Sequence, residues 1–145
     1  MTLILDTAPL VTFSDVRDPR NQEVRTVLHA ERGPLILPAP ITAETDYFLA
    51  TRIGPDSARR FLADIARGVF QVECLDAAEY QLVHEVSLRY ADLAPGLADL
   101  SIVALAARFR TLRILTFDHR HFRTIRPMQG GSFVLLPADE PAASG

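Results

Sequence analysis

The sequence predicts an α/β sandwich, with helices on both faces of a central, mainly parallel sheet of about five strands. Three observations support this fold class. Short aliphatic runs recur along the chain, segments with helical periodicity separate them, and acidic residues follow several runs where a strand gives way to a turn or helix. Strands that alternate with helices are typical of parallel sheets, because each parallel pair needs a crossover connection.

The predicted strands are short aliphatic runs bounded by turn residues. They cover residues 3–5, 35–37, 69–75, 113–117 and 133–136. The chain is about the size of one domain and contains no repeat or linker. We therefore predict a single domain over residues 1–137 and a flexible C-terminal tail over residues 138–145.

The predicted helices are recognised by periodicity and by capping residues. They cover residues 9–14, 19–30, 42–52, 54–66, 76–90 and 97–109. Thr42 can cap the third helix, and Asp76 and Glu79 have capping-box spacing at the start of the fifth. The fourth has a regular apolar stripe that includes Leu62, and the sixth is apolar enough to be buried on most sides.

All 15 basic residues are arginine, and this absence of lysine excludes several classes of function. A Walker-type phosphate loop requires a lysine, as does Schiff-base chemistry. Phospho-receiver domains also use a lysine beside their acidic pocket. None of these three classes fits the sequence.

Six arginines lie between positions 108 and 126, a segment with one acidic residue. Such a locally positive region favours a phosphate-backbone partner, and Arg120 is a candidate phosphate contact. The alternative for Arg108 and Arg110 is that they complement a helix C-terminus.

The N-terminus lacks the features of a secretory signal, and a lone cysteine, Cys74, fits a reducing compartment, so we expect a cytoplasmic protein.

Four carboxylates form the strongest functional signal: Asp6, Glu44, Asp99 and Asp118. Asp6 and Asp118 follow predicted strands, whereas Glu44 and Asp99 lie in the first turns of predicted helices. Ligands of parallel α/β sheets bind beyond the carboxyl ends of the strands. We therefore expect the four carboxylates to meet at one edge of the sheet.

Each of these acids also has a structural interpretation. Aspartate after a strand is common turn chemistry, and Glu44 and Asp99 could satisfy helix N-termini. Four acids at corresponding junctions, however, would repel one another without a positive partner. This favours a shared site for Mg²⁺ or Mn²⁺, which prefer carboxylate oxygen.

Other polar residues flank these acids in the sequence. Thr7 and Thr116 are candidates for hydrogen bonds to the acids or to a bound phosphate, although both also fit as plain strand-end residues. A histidine near the site could act as an acid or base. We interpret His119 and His121 instead as exposed residues near the same edge.

The segments that carry the four acids resemble the acidic motifs of PIN-domain ribonucleases. They are residues 3–7 (LILDT), 43–44 (AE), 98–106 (ADLSIVALA) and 114–122 (ILTFDHRHF). Within that family the chain resembles the VapC-type toxins of bacterial toxin–antitoxin systems. The resemblance extends over roughly residues 3–137.

This resemblance implies a PIN-like α/β/α fold and a Mg²⁺- or Mn²⁺-dependent endoribonuclease. Asp6 and Asp99 would be the main metal ligands, and Glu44 and Asp118 would complete the site directly or through water. It also implies a homodimer, a cognate antitoxin that covers the acidic groove, and structured RNA (tRNA or rRNA) as the substrate.

Two alternatives remain open from the sequence. The first is a non-catalytic PIN-like module that only binds RNA or protein, against which the presence of all four acids argues. The second is a phosphohydrolase of the haloacid-dehalogenase type. That class expects a second aspartate two residues after Asp6, where this chain has Ala8, and a lysine that the chain lacks.

Overall fold

The computed structural model describes residues 1–139 of the chain. In this part, five strands form one sheet in the order β3-β2-β1-β4-β5, and every neighbouring pair is parallel. The strands are β1 (Leu3–Leu5), β2 (Leu35–Pro38), β3 (Gln71–Glu73), β4 (Arg113–Leu115) and β5 (Val134–Leu136). The predicted α/β class and the number of strands are therefore confirmed.

Seven helices connect or flank the strands within the described range. They are α1 (Thr7–Phe13), α2 (Asn21–Ala30), α3 (Ala39–Arg52), α4 (Pro55–Ala66), α5 (Ala77–Arg89), α6 (Leu97–Arg108) and α7 (His119–Thr124). Helix α3 packs against α1 and α4, and α5 packs against α6. No helix within residues 1–139 combines the length and apolar character needed to cross a membrane.

The centre of the sheet determines where a site can form. All three residues of β1 are inaccessible to solvent. Successive strand residues point to opposite faces, so helices must cover both faces of the sheet. The chain adds β2 and β3 on one side of β1, and then β4 and β5 on the other. This reversal of strand order leaves a crevice beyond the carboxyl ends of β1 and β4.

Two helices begin earlier than the sequence suggested. Helix α1 starts at Thr7 because the Asp6 side chain caps it. Helix α3 starts at Ala39, since a proline in the first turn needs no hydrogen-bond partner for its nitrogen. The hydroxyl of Thr42 therefore does not cap α3 and instead donates to the carbonyl of Pro38, at 3.3 Å. Glu44 consequently lies in the second turn of α3, and its predicted first-turn position is wrong.

Other local expectations differ from the structure or are only partly covered by it. The short helix α7 was not predicted, and Leu62 of the apolar stripe in α4 is 52% exposed. The predicted flexible tail lies outside the described residues from position 140 onward. Its second residue, Asp139, is described and accepts hydrogen bonds from Arg123 and from the backbone N–H of Leu135.

Candidate metal centre

The four predicted carboxylates line one cavity of about 460 Å³ at the carboxyl end of the sheet. Each comes from a different helix or helix start: Asp6 caps α1, Glu44 lies on α3, Asp99 on α6, and Asp118 caps α7. The remaining lining residues are Thr7, Ala8, Val11, Phe48, Arg52 and Phe117. The fold thus brings together acids that are up to 112 residues apart (118 − 6) in the chain.

Asp6 is the most buried of the four acids, at 8% exposure. One carboxylate oxygen accepts the backbone N–H of Thr7 at 2.8 Å, and the other accepts the Thr116 hydroxyl at 2.6 Å. Burial raises the pKa of Asp6, the two hydrogen bonds oppose that rise, and the nearby Asp118 and Glu44 add to it. The Asp6 side chain therefore lies in surroundings that disfavour its negative charge.

Thr116 connects two of the acids. Its side chain is fully buried, and its hydroxyl donates to Asp6 while accepting the backbone N–H of Asp118 at 2.9 Å. These two bonds fix the Asp6 carboxylate and the start of α7 relative to β4. Thr116 therefore holds the acids in place from beneath the cavity.

Thr116→Val should lower the free energy of unfolding by about 1–3 kcal/mol. Valine keeps the shape of threonine but leaves a buried oxygen of Asp6 and the N–H of Asp118 without their partner. Urea denaturation followed by circular dichroism measures the change. Thr26→Val is the matched control, because the exposed Thr26 hydroxyl only bonds to a carbonyl within its own helix. Equal stability changes in the two variants would contradict this account of Thr116.

Asp99 lies in the first turn of α6 and is partly buried. Burial raises its pKa to about 6, and the negative charges of Asp6, Asp118 and Glu44 act in the same direction. His121 opposes the rise. Two acids in this cavity, Asp6 and Asp99, therefore have raised pKa values that a bound cation would reverse.

His121 lies between two of the acids, and its expected position as an exposed residue is wrong. Its side chain is 19% exposed, and its Nδ1 atom lies 2.6 Å from Asp118 and 2.9 Å from Asp99. Its backbone N–H also donates to Asp118 at 3.0 Å. The sequence did contain one signal for this position. His121 follows Asp118 by three residues, and this spacing places His121 next to Asp118 once Asp118 is recognised as the residue that caps α7.

The structure separates the other candidate residues. Thr7 lines the cavity, and its buried hydroxyl has no hydrogen-bond partner in the described structure. Glu44 also lines the cavity but is exposed. Arg120 is exposed on α7 and does not line the cavity, whereas Arg52 of α3, which sequence reasoning missed, does.

Much of the predicted arginine-rich region is neutralised by carboxylates from elsewhere in the chain. Arg108 pairs with Glu73 and Glu79, and Arg113 pairs with Glu31. Arg123 pairs with Asp139. The positive charge inferred from the sequence is therefore smaller in the folded protein than the composition of residues 108–126 suggested.

The side chains around the cavity fit a divalent cation. Ligand atoms of Asp99, Asp118 and His121 lie within 4.8 Å of one another. Carboxylate oxygens suit Mg²⁺ and Mn²⁺, and an imidazole nitrogen suits later transition metals. The unpartnered Thr7 hydroxyl and the raised pKa values of Asp6 and Asp99 indicate that the protein alone does not satisfy this cavity.

Comparisons with known proteins identify a relative with a similar sequence and solved structures with a similar fold. No protein-family model matches the chain. The chain is 35% identical to ribonuclease VapC26 of Mycobacterium tuberculosis over 135 residues, which cover 93% of this chain and 100% of the relative. Its fold is similar to that of Mycobacterium tuberculosis VapC20, described as a sarcin–ricin loop cleaving toxin, with a TM-score of 0.74, 18% identity, and coverage of 81% of this chain and 91% of that one.

A second solved structure has the same fold. It is VapBC2 from Rickettsia felis, bound to a DNA fragment from its promoter. The TM-score is 0.65 at 16% identity, and the match covers 93% of this chain and 97% of that one.

Proposed function

The chain belongs to the VapC family of PIN-domain ribonuclease toxins, and on this premise we propose that it is a divalent-metal-dependent endoribonuclease. It hydrolyses phosphodiester bonds in structured RNA and acts in the cytoplasm as the toxin of a toxin–antitoxin pair. The observation that carries the proposal is the meeting of four carboxylates in one cavity where the pKa values of Asp6 and Asp99 are raised.

The four acids are assigned to the metal. Asp6 and Asp99 are the main ligands, and Glu44 and Asp118 complete the site directly or through water. A divalent cation, when bound, lowers the pKa of water toward neutrality and offsets negative charge on a phosphoryl group. His121 contacts both Asp99 and Asp118 and so orients two of the four carboxylates.

The chain's own residues prepare the reaction in three ways. The backbone N–H of Thr7 and the Thr116 hydroxyl fix the Asp6 carboxylate, so little reorganisation is needed when substrate binds. We assign the buried, unpartnered hydroxyl of Thr7, a residue that lines the cavity, to a phosphate oxygen of the bound RNA. Arg120, outside the cavity, is assigned to RNA beyond the cleaved bond.

The reaction is hydrolysis. The oxygen of a water molecule forms a new bond to phosphorus and the water loses one proton. The bond from phosphorus to the leaving ribose oxygen breaks, and the ribose oxygen takes up one proton. Attack in line with the leaving oxygen requires a fixed phosphate. The acids would hold the cation that binds this phosphate, and the Thr7 hydroxyl would donate to one of its oxygens.

The relatives' names support the proposed substrate and the proposed antitoxin partner. A relative is named a ribonuclease and a similar structure a sarcin–ricin loop cleaving toxin, which supports structured RNA, tRNA or rRNA, as the substrate. The VapBC2 structure supports a cognate antitoxin as the partner. We also propose that the chain forms a homodimer.

Cleavage of RNA with and without chelator tests the function. Purified protein is incubated with bulk tRNA and with ribosomal RNA in MnCl₂ or MgCl₂, and a parallel reaction contains EDTA. We expect discrete fragments with metal and none with EDTA, with activity restored when metal is returned in excess. Metal-independent binding of the same RNAs without cleavage would instead identify the non-catalytic module.

A further inference from the structure

We propose that Arg52 is a substrate-binding residue that holds an RNA backbone phosphate flanking the cleaved bond, and that Phe48 holds its guanidinium in place. This inference rests on the proposed ribonuclease function and extends it to a residue that the acidic motifs do not contain. Arg52 is the only basic residue among the described residues that line the acidic cavity.

Arg52 belongs to a stripe on α3 that faces the cavity. Glu44, Phe48 and Arg52 are spaced four residues apart and all line it, as expected for one face of a helix. Long helical side chains point back toward the N-terminus. The Arg52 guanidinium accordingly lies over the Phe48 ring, 4.2 Å from its centre, and so one turn closer to the acids than its own backbone.

The charge of Arg52 is not neutralised by any carboxylate of the described residues. It forms no ion pair within residues 1–139, although four carboxylates line the same cavity. An α-helix rises about 1.5 Å per residue, so Glu44 and Arg52 are separated by about 12 Å along α3. A guanidinium stacked on an aromatic ring keeps its N–H groups available, and their planar array suits phosphate oxygens.

These facts favour a phosphate next to the one that is cleaved. The acids would hold the metal at one end of the stripe, and the Arg52 guanidinium lies over Phe48, about one helical turn from Glu44. A polyanion that passes through the cavity therefore meets the metal site and then a preorganised cation.

Arg20 provides a contrast, because it also stacks on an aromatic residue of the cavity. Its guanidinium lies 3.5 Å from the centre of the Phe117 ring, and Phe117 lines the cavity. The Nε of Arg20, however, donates to Glu23 at 2.6 Å. That charge is already paired with Glu23 at the start of α2, so a phosphate would gain less from Arg20 than from Arg52.

RNA binding without cleavage tests the role of Arg52. A fluorescein-labelled RNA stem-loop is titrated with protein in EDTA, and its anisotropy is measured over a series of NaCl concentrations. We expect Arg52→Gln to raise the Kd about tenfold, since hydrogen bonds to charged groups are among the stronger ones. The slope of log K against log salt should become shallower by about 0.7–0.9, the loss of one phosphate contact.

Two further variants separate charge, stacking and general surface effects. Arg52→Lys should keep the salt slope but recover only part of the affinity, because an ammonium group lacks the planar geometry. Arg59→Gln removes the same charge from exposed α4, where Arg59 pairs with Asp56, and should bind RNA as the unchanged protein does. Circular dichroism melts show whether each variant is folded.

The outcomes distinguish this inference from the proposed function. If Arg52→Gln and Arg59→Gln bind RNA equally well while the unchanged protein cleaves it, the Arg52 inference is overturned and the ribonuclease stands. If binding depends on Arg52 but no metal permits cleavage, the RNA-binding role of Arg52 stands and the proposed activity fails. If Arg52→Gln binds RNA normally but loses an acidic protein partner, Arg52 belongs to a protein contact and the inference is overturned.

Discussion

Asp6→Asn and Asp99→Asn are each expected to reduce RNA cleavage by at least about 100-fold while the protein stays folded. Residues that only orient metal ligands typically cost 10–100-fold when replaced, so a direct ligand should cost more. The fold should survive because asparagine caps a helix as well as aspartate does. At Asp6 it can still accept the backbone N–H of Thr7.

Asp99→Asn should also become slightly more stable in the absence of metal, whereas Asp6→Asn should show no such gain because its amide loses the acceptor for the Thr116 hydroxyl. Burial raises the pKa of both side chains, which means that their charged forms are disfavoured in the folded protein. A neutral amide removes that unfavourable charge. Initial rates of fragment formation in MnCl₂ measure activity, and thermal melts in EDTA measure stability.

Asp56→Asn is the matched control for this comparison. Asp56 is exposed on α4 and pairs with Arg59, so the same change of carboxylate to amide there should leave cleavage unchanged. Undiminished cleavage by the Asp6 or Asp99 variant would remove these acids from the active site. Loss of the folded state in both variants would show instead that the carboxylates are needed for structure.

The acids were predictable because they lie where patterns in the sequence change. The aliphatic runs that became β1 and β4 end just before Asp6 and Asp118, and parallel strands present such ends at one edge. The structural and functional interpretations of Asp6 proved compatible. One of its oxygens caps α1, and the other is held by Thr116 at the base of the cavity.

His121 was misplaced because α7 is too short to show a period. It contains six residues, of which Phe122 alone is buried. Periodicity over fewer than two turns gives no reliable signal. Without the helix, the proximity of His121 to Asp99 could not be inferred, since it depends on where the fold places α7 relative to the start of α6.

The arginines show a second limit of the sequence. Arg108 and Arg113 pair with Glu79 and Glu31, which lie 29 and 82 residues away. No local pattern marks such partners, so charges that look free in the sequence are neutralised by the fold. Arg52 is the reverse case, because its role depends on cavity walls contributed by α1, α3 and α6.

The metal-free protein is expected to be more stable at about pH 5 than at about pH 7.5. The pKa of Asp99 is about 6 in the folded protein and 3.8 without its surroundings, so the folded state binds more protons between these values. The free energy of unfolding must then fall as the pH rises through this range. The raised pKa of Asp6 acts in the same direction.

Other charged groups do not reverse this expectation. The carboxyls of Glu31 and Glu79 have lowered pKa values, and the stability they provide is lost only as the pH falls below the usual 4.5. The groups that face Asp99 are Asp6, Glu44, Asp118 and His121.

A bound cation should reverse the pH trend, because metal ligands must be deprotonated. At about 100 times its Kd, MnCl₂ adds about 2.7 kcal/mol to the free energy of unfolding, and this gain should be larger at about pH 7.5 than at about pH 5. Thermal melts at both pH values, in EDTA and in MnCl₂, measure the four stabilities.

In Asp99→Asn both the pH trend and the manganese effect should shrink, whereas Asp56→Asn should retain them. If the metal-free protein is instead more stable at the higher pH, or if manganese stabilises Asp99→Asn as strongly as the unchanged protein, then these carboxylates do not form the cation site.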